Sequence, residues 1–481
     1  MKNNYLFFLL PVFLSGCGKS GKTNQTPETI TILAEHTPND YVGTILVYYE
    51  NEFGDSRNVH FQKNSATGHY FPQKIKTRHP IWLRFTRGAQ VPVYLVPGDT
   101  LQVKAAPRFN VDYTLVGERP GEISFYNLLD QKSLGMNFSD LAGVHKDETV
   151  FRPRTKMLNY LYNQRQAFLK QVKDSLALGP GFDKFIQTET KSNYLISLLA
   201  PFYHPNFNRQ LLRHTYLDTL SQFYTSGFFN QDSLVFSSLR YRRSITFYNR
   251  FLSRAALQTP QEMQVLYRNA SQKFTGQTRD YALFSLLKEH LPQDLGMTAY
   301  LERSKKDITY KPYRIYLDSL VNRPLQLTTN PKLLNNALTT VKGEKITWQE
   351  LLARNQGKVV YVTFWATWFD LSLNELVAAQ ALQATLKDQD IVFVYLAENH
   401  PKEKAQLQPT ITARQINKEN DQHYFIDLES PMPVFIAGNN NGFPMLHHLL
   451  IDKTGKVAAM NAKDPGNPKL REDIITLLDK N

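Results

Sequence analysis

The hydrophobic pattern changes character twice along the chain. Over residues 29–106 apolar positions alternate or run in short blocks between turn residues, as in β-strands. TITILAE (29–35) alternates, TILVYYE (44–50) is a solid strand run, and PIWLRF (80–85) places Ile81, Leu83 and Phe85 on one face. VPVYLVPGDTLQVKA (91–105) reads as two strands around a Pro97-Gly98-Asp99 turn. Pro presets φ for the first turn position and Gly accepts positive φ at the next. Between residues 118 and 330 the period lengthens to that of amphipathic helices. Leu158, Leu161, Phe168, Val172 and Leu176 share a helical stripe, and Gly179-Pro180 is expected to stop it. DKFIQTETKSNYLISLLAPFYH, SSLRYRRSITFYNRFLSRAA, EMQVLYRNASQKF and RDYALFSLLKEHL follow the same habit, and their Tyr and Phe residues are expected in the core. From residue 331 the pattern is mixed. Val359 to Phe364 is a buried strand run, residues 371–389 a helix, DIVFVYLAE (390–398) a second buried strand, and LHHLLIDKTGKVAAMN (446–461) an antiparallel hairpin turning at Lys453-Thr454-Gly455. PKLREDIITLLDK (468–480) is a closing helix.

The expected architecture is therefore multidomain: an antiparallel β-sandwich-like unit over residues 29–117, an all-helical middle domain over 118–330 and an α/β domain over 331–481. A chain of 481 residues is too long for one ordinary core, which agrees with several domains. Charge adds one constraint. The formal net charge is +13, with a sequence pI of about 9.4. No block of five or more basic residues and no nucleic-acid motif accompanies it, so the charge reads as a solvated surface with some attraction for anionic lipid rather than for nucleic acid.

Cysteine usage changes the picture most. The sequence holds one cysteine, Cys17. It follows a short positive region at Lys2 and a ten-residue apolar stretch, Tyr5 to Leu14, interrupted by Pro11. That stretch is too short to span a bilayer, which takes about 20 residues, and suits a secretory signal. Leu14-Ser15-Gly16-Cys17 resembles the bacterial lipobox. The resemblance implies cleavage of residues 1–16, diacylation of the Cys17 thiol, and a flexible lipid-anchored tether over residues 17–28. With Cys17 acylated, the mature chain has no thiol for disulfide exchange or for sulfur ligation of a metal. The β unit with its Pro-Gly-Asp turn is similar to the N-terminal β domains of Bacteroidota-type envelope lipoproteins.

The opening of the α/β part, VKGEKITWQELLARNQGKVVYVTFWATW (341–368), resembles the TlpA/ResA branch of the thioredoxin superfamily. Gly357, Lys358, Phe364, Trp365, Ala366 and Trp368 fall at that branch's positions, Glu375 sits where it often has Glu, and LLIDKTGK (449–456) matches its hairpin. Pro444 is the best candidate for its cis-proline. The resemblance covers about a third of the chain and implies a thioredoxin-like fold. It fails at the chemistry. Phe369 stands at the position of the attacking cysteine and Ser372 at that of the resolving one, so Cys-x-x-C has become Phe-Asp-Leu-Ser.

Other chemistries are weak. Ser372 with His447, His448 and Asp370 is a nucleophilic set on paper, but neighbouring residues on a strand face opposite ways, so at most one histidine can aim at Ser372. His447-His448 with Asp452 lacks metal-ligand spacing, and the two histidines read as a solvated or capped pair. No phosphate-cradling glycine motif is present, and no cofactor or metal is expected. Three functional classes follow. The first is a redox-inactive thioredoxin-like lipoprotein on the periplasmic side of the envelope, at the outer membrane in preference to the inner, holding a protein or peptide on an apolar patch of Trp365, Trp368, Phe369, Asp370, Phe443 and Pro444. The second is a relative of thiol-disulfide oxidoreductases in envelope redox or cytochrome maturation. The third is a structural or glycan-binding lipoprotein, distinguished by an aromatic groove outside the thioredoxin-like part.

Overall fold

The computed structural model describes residues 29–35, 47–85, 93–105, 113–131, 148–200, 220, 222–224, 227–257, 259–292, 294–415, 422–437 and 447–480. Two four-stranded sheets come first. One has the order β4-β1-β7-β8, with β1 (Thr29–Ala34), β4 (Gln73–Lys76), β7 (Thr100–Ala105) and β8 (Tyr113–Gly117). The other has the order β3-β2-β5-β6, with β2 (Val47–Glu50), β3 (Ser56–Val59), β5 (Ile81–Phe85) and β6 (Val93–Leu95). Ile30, Ile32, Val47, Ile81, Leu83, Phe85, Leu101 and Val103 form the core of this unit.

The structure corrects two sequence expectations here. β1 pairs with β7 in parallel, so the unit is not purely antiparallel. The long connection between them, which carries the five strands β2 to β6, is what permits a parallel neighbour. The strands on either side of Pro97-Gly98-Asp99 do not pair with each other, because β6 and β7 belong to different sheets. The turn itself forms as its residues dictate. Gly98 has φ +101°, and the Asp99 N–H donates to the Val96 carbonyl at 3.0 Å. The Asp99 carboxylate then accepts from the Val96 N–H at 2.7 Å and from Arg119 Nε at 3.0 Å.

Eight α-helices follow among the described residues: α1 (Pro120–Gln131), α2 (Glu148–Val172), α3 (Pro180–Leu199), α4 (Leu239–Leu252), α5 (Glu262–Lys273), α6 (Gly276–His290), α7 (Thr298–Asp307) and α8 (Lys311–Thr329). Gly179-Pro180 opens α3 rather than closing α2. Gly179 is the N-cap and Pro180 occupies the first turn, where its missing N–H costs nothing. The helices share a large aromatic core, and the β unit is keyed into it. Trp82 and Tyr94 point away from the sandwich and join that core, with Tyr94 and Phe185 ring centroids 4.5 Å apart. Phe53, on the loop after β2, stacks on Tyr316 at 4.9 Å and contacts Phe284 and Tyr313. Beside it Lys288 Nζ donates to Asp55 Oδ1 and to the Phe53 carbonyl, both at 2.7 Å. Burial alone would push the Asp55 carboxyl up; Lys288, Tyr316 and Asn51 outweigh it and hold the pKa below the usual value.

The last part is a seven-stranded sheet of order β10-β9-β13-β12-β11-β14-β15. Its elements are α9 (Pro331–Leu334), β9 (Ala337–Thr340), β10 (Lys345–Thr347), α10 (Trp348–Arg354), β11 (Val359–Trp365), α11 (Asp370–Thr385), β12 (Ile391–Asn399), α12 (Leu407–Ala413), β13 (Gln422–Asp427), α13 (Pro431–Ala437), β14 (His448–Ile451), β15 (Val457–Ala459) and α14 (Pro468–Leu478). β11, β12 and β13 are mutually parallel, while β14 lies antiparallel to β11 and β15 antiparallel to β14. The unit β11–α11–β12 followed by the β14–β15 hairpin and α14 is the thioredoxin-like skeleton. β13 and the β9–β10 hairpin extend it on the far side of β12, and the hydrophobic pattern did not reveal them.

Each residue of β11 is buried. Val359, Tyr361 and Trp365 face one core with Leu373, Leu376, Leu470 and Ile474, and Val360, Val362 and Phe364 face the other with Trp348, Leu351 and Met432. Trp348 Nε1 donates to the Leu327 carbonyl at 2.9 Å, and Lys463 Nζ reaches Asp294 at 2.8 Å and Asp473 at 2.6 Å, so α8 and the loop after α6 are fastened to this sheet. No helix among the described residues is long and apolar enough to cross a membrane.

Because Phe53 joins two units, Phe53→Ala is expected to lower stability by about 3 kcal/mol, within the range for aromatic truncation in a core. Thermal unfolding of the two proteins checks this, and an unchanged melting temperature would show that the loop is not an anchor.

Candidate functional site

The candidate site lies where β11 hands over to α11. β11 ends at Trp365, and residues 366–369 form a tight loop before the helix. Two short bonds shape it: the Phe369 N–H donates to the Ala366 carbonyl at 3.1 Å, and the Ser372 N–H to the Phe369 carbonyl at 3.0 Å. The Ser372 hydroxyl completes the clasp. It accepts from the Ala366 N–H at 3.2 Å and donates to the Phe369 carbonyl at 2.7 Å. From the end of β12, Asn399 Oδ1 accepts from the Thr367 N–H at 3.3 Å, and Asn399 Nδ2 donates to Glu403 at 3.2 Å. The loop is thus held from both sides, by Ser372 from α11 and by Asn399 from β12.

Ser372 sits at the third position of α11 rather than at its cap, and it is 1% exposed. With its proton committed to a carbonyl and no base among the described residues bonded to it, it is not a poised nucleophile. The Ser/His/Asp set is not assembled: Asp370 is exposed and lies 3.4 Å from Arg414, and His448 is bonded elsewhere. The Asp370–Arg414 pair is too solvated to contribute much.

The structure divides the proposed apolar patch. Trp368 is 49% exposed and Leu371 58%, while Phe369 is half-buried with its ring 6.0 Å from that of Trp368. Trp365 does not belong with them. It is 1% exposed, because the last residue of β11 still points into the core beneath α11. Phe443, Pro444 and Cys17 lie outside the described residues. Leu371 was not singled out from sequence, although its place next to Asp370 in the first turn of α11 is where an outward residue falls.

A buried polar layer lies behind the loop, and sequence reasoning missed its pairing. His448 is not solvated. It is 3% exposed, its Nε2 lies 2.9 Å from Glu375 Oε2, and its ring stacks on Tyr361 at 5.4 Å with 10° between planes. Tyr361 donates its hydroxyl to the Lys463 carbonyl at 2.9 Å. Burial, and next the negative charge of Glu375, raise the Tyr361 pKa well above its ordinary value, so it serves as a neutral donor. On the opposite face of the sheet lie His447 and Glu398, each on the side of Phe364 and Leu396 by strand alternation. Burial, then the charges of His448 and Arg323, push the His447 imidazole down to about 4. Burial pushes the Glu398 carboxyl up to about 8. Both groups are therefore neutral near pH 7. No group of three or more potential metal ligands occurs among the described residues.

No family model matches the chain, and no curated protein matches it. Several solved structures do, each of those named below over about 30% of this chain. A putative thiol-disulfide oxidoreductase from Bacteroides vulgatus is 24% identical, with 31% of this chain and 91% of that one covered and a TM-score of 0.26. A putative protein disulfide isomerase from Bacteroides thetaiotaomicron is 17% identical, with 30% and 86% covered and a TM-score of 0.24. A thioredoxin-family thiol:disulfide interchange protein from Chlorobium tepidum is 18% identical, with 30% and 92% covered and a TM-score of 0.23. The fold assignment rests on strand order and register, not on these similarities.

The two neutral buried groups generate opposite pH slopes. Glu398 keeps its proton in the native state up to about 8, whereas an ordinary glutamate loses it near 4.5. Its contribution is complete at low pH, falls as pH rises from 4.5, and levels off above 8. His447 stays neutral down to about 4 against an ordinary 6.5, so its contribution is present above 6.5 and is lost as pH falls to 4. The slopes offset each other up to about pH 6.5 and only that of Glu398 remains from there to about pH 8. Glu398→Gln is expected to flatten the decline in melting temperature between pH 6.5 and 8; an undiminished decline would remove Glu398 as its cause.

Proposed function

We propose that the thioredoxin-like part is a recognition module that carries out no thiol chemistry of its own. One observation carries this reading: the sole cysteine is Cys17, and the two positions of the thioredoxin-type cysteines are occupied by a half-buried Phe369 and by a Ser372 whose hydroxyl is built into the loop. What remains of the site is a preformed loop presenting Trp368, Phe369 and Leu371. Aromatic and aliphatic groups on a rigid loop bind an extended apolar segment at low entropic cost. The client in this reading is an unfolded or extended stretch of an envelope protein. Acylated Cys17 would hold the chain to a lipid surface, on the periplasmic side and at the outer membrane, with the β and helical units as a stem. Participation in envelope redox or cytochrome maturation would then be as a holder of clients for a second protein that brings the thiols.

The tryptophans make this testable. Of the four, Trp82, Trp348 and Trp365 are buried and Trp368 alone is exposed. Acrylamide quenching of intrinsic fluorescence therefore reports on Trp368. Addition of a permanently unfolded, carboxymethylated polypeptide is expected to shield this tryptophan, and Trp368→Ala to weaken binding of the same polypeptide about tenfold or more, the effect of losing a central aromatic contact. Unchanged quenching together with unchanged affinity of Trp368→Ala would place recognition elsewhere.

A further inference from the structure

The helix that follows the candidate loop, α11, is apolar on the side away from the sheet as well as on the side toward it. Leu373, Leu376 and Ala379 fill the core beneath it. On the outside, Leu371 is 58% and Val377 53% exposed, Asn374, Ala381 and Ala384 are exposed, and Ala378 is half-buried. Leu371, Asn374, Ala378 and Ala381 follow spacings of three and four, with Val377 and Ala384 flanking them, so the six share one face. A surface helix ordinarily turns charged residues outward, and a helix apolar all round is covered on all sides. The charged residues of α11 are Asp370 and Glu375. Asp370 is its first residue, and Glu375 Oε2 is turned toward His448 Nε2 at 2.9 Å.

Large and small side chains along this face are arranged about a centre between Val377 and Ala378. An identical helix laid antiparallel across a two-fold axis at that centre sets Leu371 opposite Ala384, Asn374 opposite Ala381 and Val377 opposite Ala378 of the second copy. Each larger side chain meets an alanine, which lets the helix axes approach toward the lower end of the usual range of about 8–10 Å. In a two-fold interface each contact is made twice, so the match is repeated on both sides of the axis. Charge points the same way. The chain carries a formal +13, yet this face holds no charged residue from Leu371 to Thr385. Two copies that meet here bury no ion. A lipid surface is ordinarily met by a helix with Lys or Arg on its polar face, and α11 has neither.

We infer that α11 is a self-association face, through which two copies of the chain pair antiparallel about an axis between Val377 and Ala378. The face is about 24 Å long and about 10 Å across. Even with the exposed Trp368 at its end it falls short of the ~800 Å² per partner of a standard interface, so the pairing is weak and concentration-dependent. Leu371 lies close to Trp368 in the chain, so a client seated on the loop would compete with the second copy. The pairing itself stands on the helix face and does not depend on the recognition reading.

The test is sedimentation equilibrium of the chain from residue 18 onward, which carries all the described residues. The expected result is a mass that rises from monomer toward dimer between about 1 µM and 1 mM, the affinity range of a small interface. Ala381→Glu sets a carboxylate against Asn374 of the second copy, and Asn374→Lys sets an ammonium against Ala381. Each variant alone should dimerise about tenfold or more weakly than the native chain, the effect of burying an unpaired charge, with an unaltered melting temperature. An equimolar mixture of the two variants should recover the dimer, because the new ammonium then meets the new carboxylate across the axis. Monomer at every concentration would overturn the pairing, and flotation of that monomer with phosphatidylcholine vesicles would give the face to lipid instead. Undiminished dimerisation of Ala381→Glu would overturn the assignment to α11, and a mixture that stays monomeric would overturn the register.

Discussion

The structure around the candidate site depends on one constraint: β11 has no solvent side. Seven consecutive residues, Val359 to Trp365, are buried between two helical layers and flanked by β12 and β14. A strand so enclosed cannot slip by one residue without moving each side chain to the wrong core. Its end is therefore fixed in space, and so is the loop that follows. Trp368 is displayed because Trp365 is not: the last strand residue is spent on the core, and the chain then turns outward. The exposed aromatic surface at Trp368 is a consequence of where the sheet stops.

The clasp at Ser372 holds the loop through a hydroxyl. A thiol-based site needs two sulfurs at the start of α11, one accessible and one behind it. Here the accessible position carries an aromatic ring and the rear position a hydroxyl that bonds the Ala366 N–H and the Phe369 carbonyl. Hydroxyl bonds of this kind contribute on the order of 1 kcal/mol each, enough to keep a short loop in one shape. The Glu375–His448 pair and Tyr361 behind it remain as a buried polar support. Nothing in that layer reaches Ser372, so the polar groups position the scaffold rather than activate a nucleophile.

The sequence disclosed the sheet better than the site. Val359 to Phe364, DIVFVYLAE and LLIDKTGK are apolar runs between turn residues, and each became the expected strand or hairpin. β13 went unnoticed because Gln422 and His423 dilute its apolar centre, and β9 and β10 because each is only three or four residues long. The Pro97-Gly98-Asp99 turn was legible, yet turn chemistry is local and does not say which sheet receives the next strand. The same limit explains Trp365 and Trp368: three residues apart, they look equivalent until the end of the strand is known. His447 and His448 read as a solvated or capped pair, with no partner named, because their neighbours on the chain are not their neighbours in space; Glu375 lies 73 residues before His448.

Disulfide reduction tests most directly whether the scaffold stands without its two sulfurs. The assay is insulin reduction by the chain from residue 18 onward, beside a variant carrying Phe369→Cys and Ser372→Cys. The native protein is expected to be inert and the double variant to gain activity, since the strand, the loop and the start of α11 already stand where the reaction needs them. Reduction by the native protein, which has no thiol in that form, would contradict the account and return attention to Ser372 and the buried histidines.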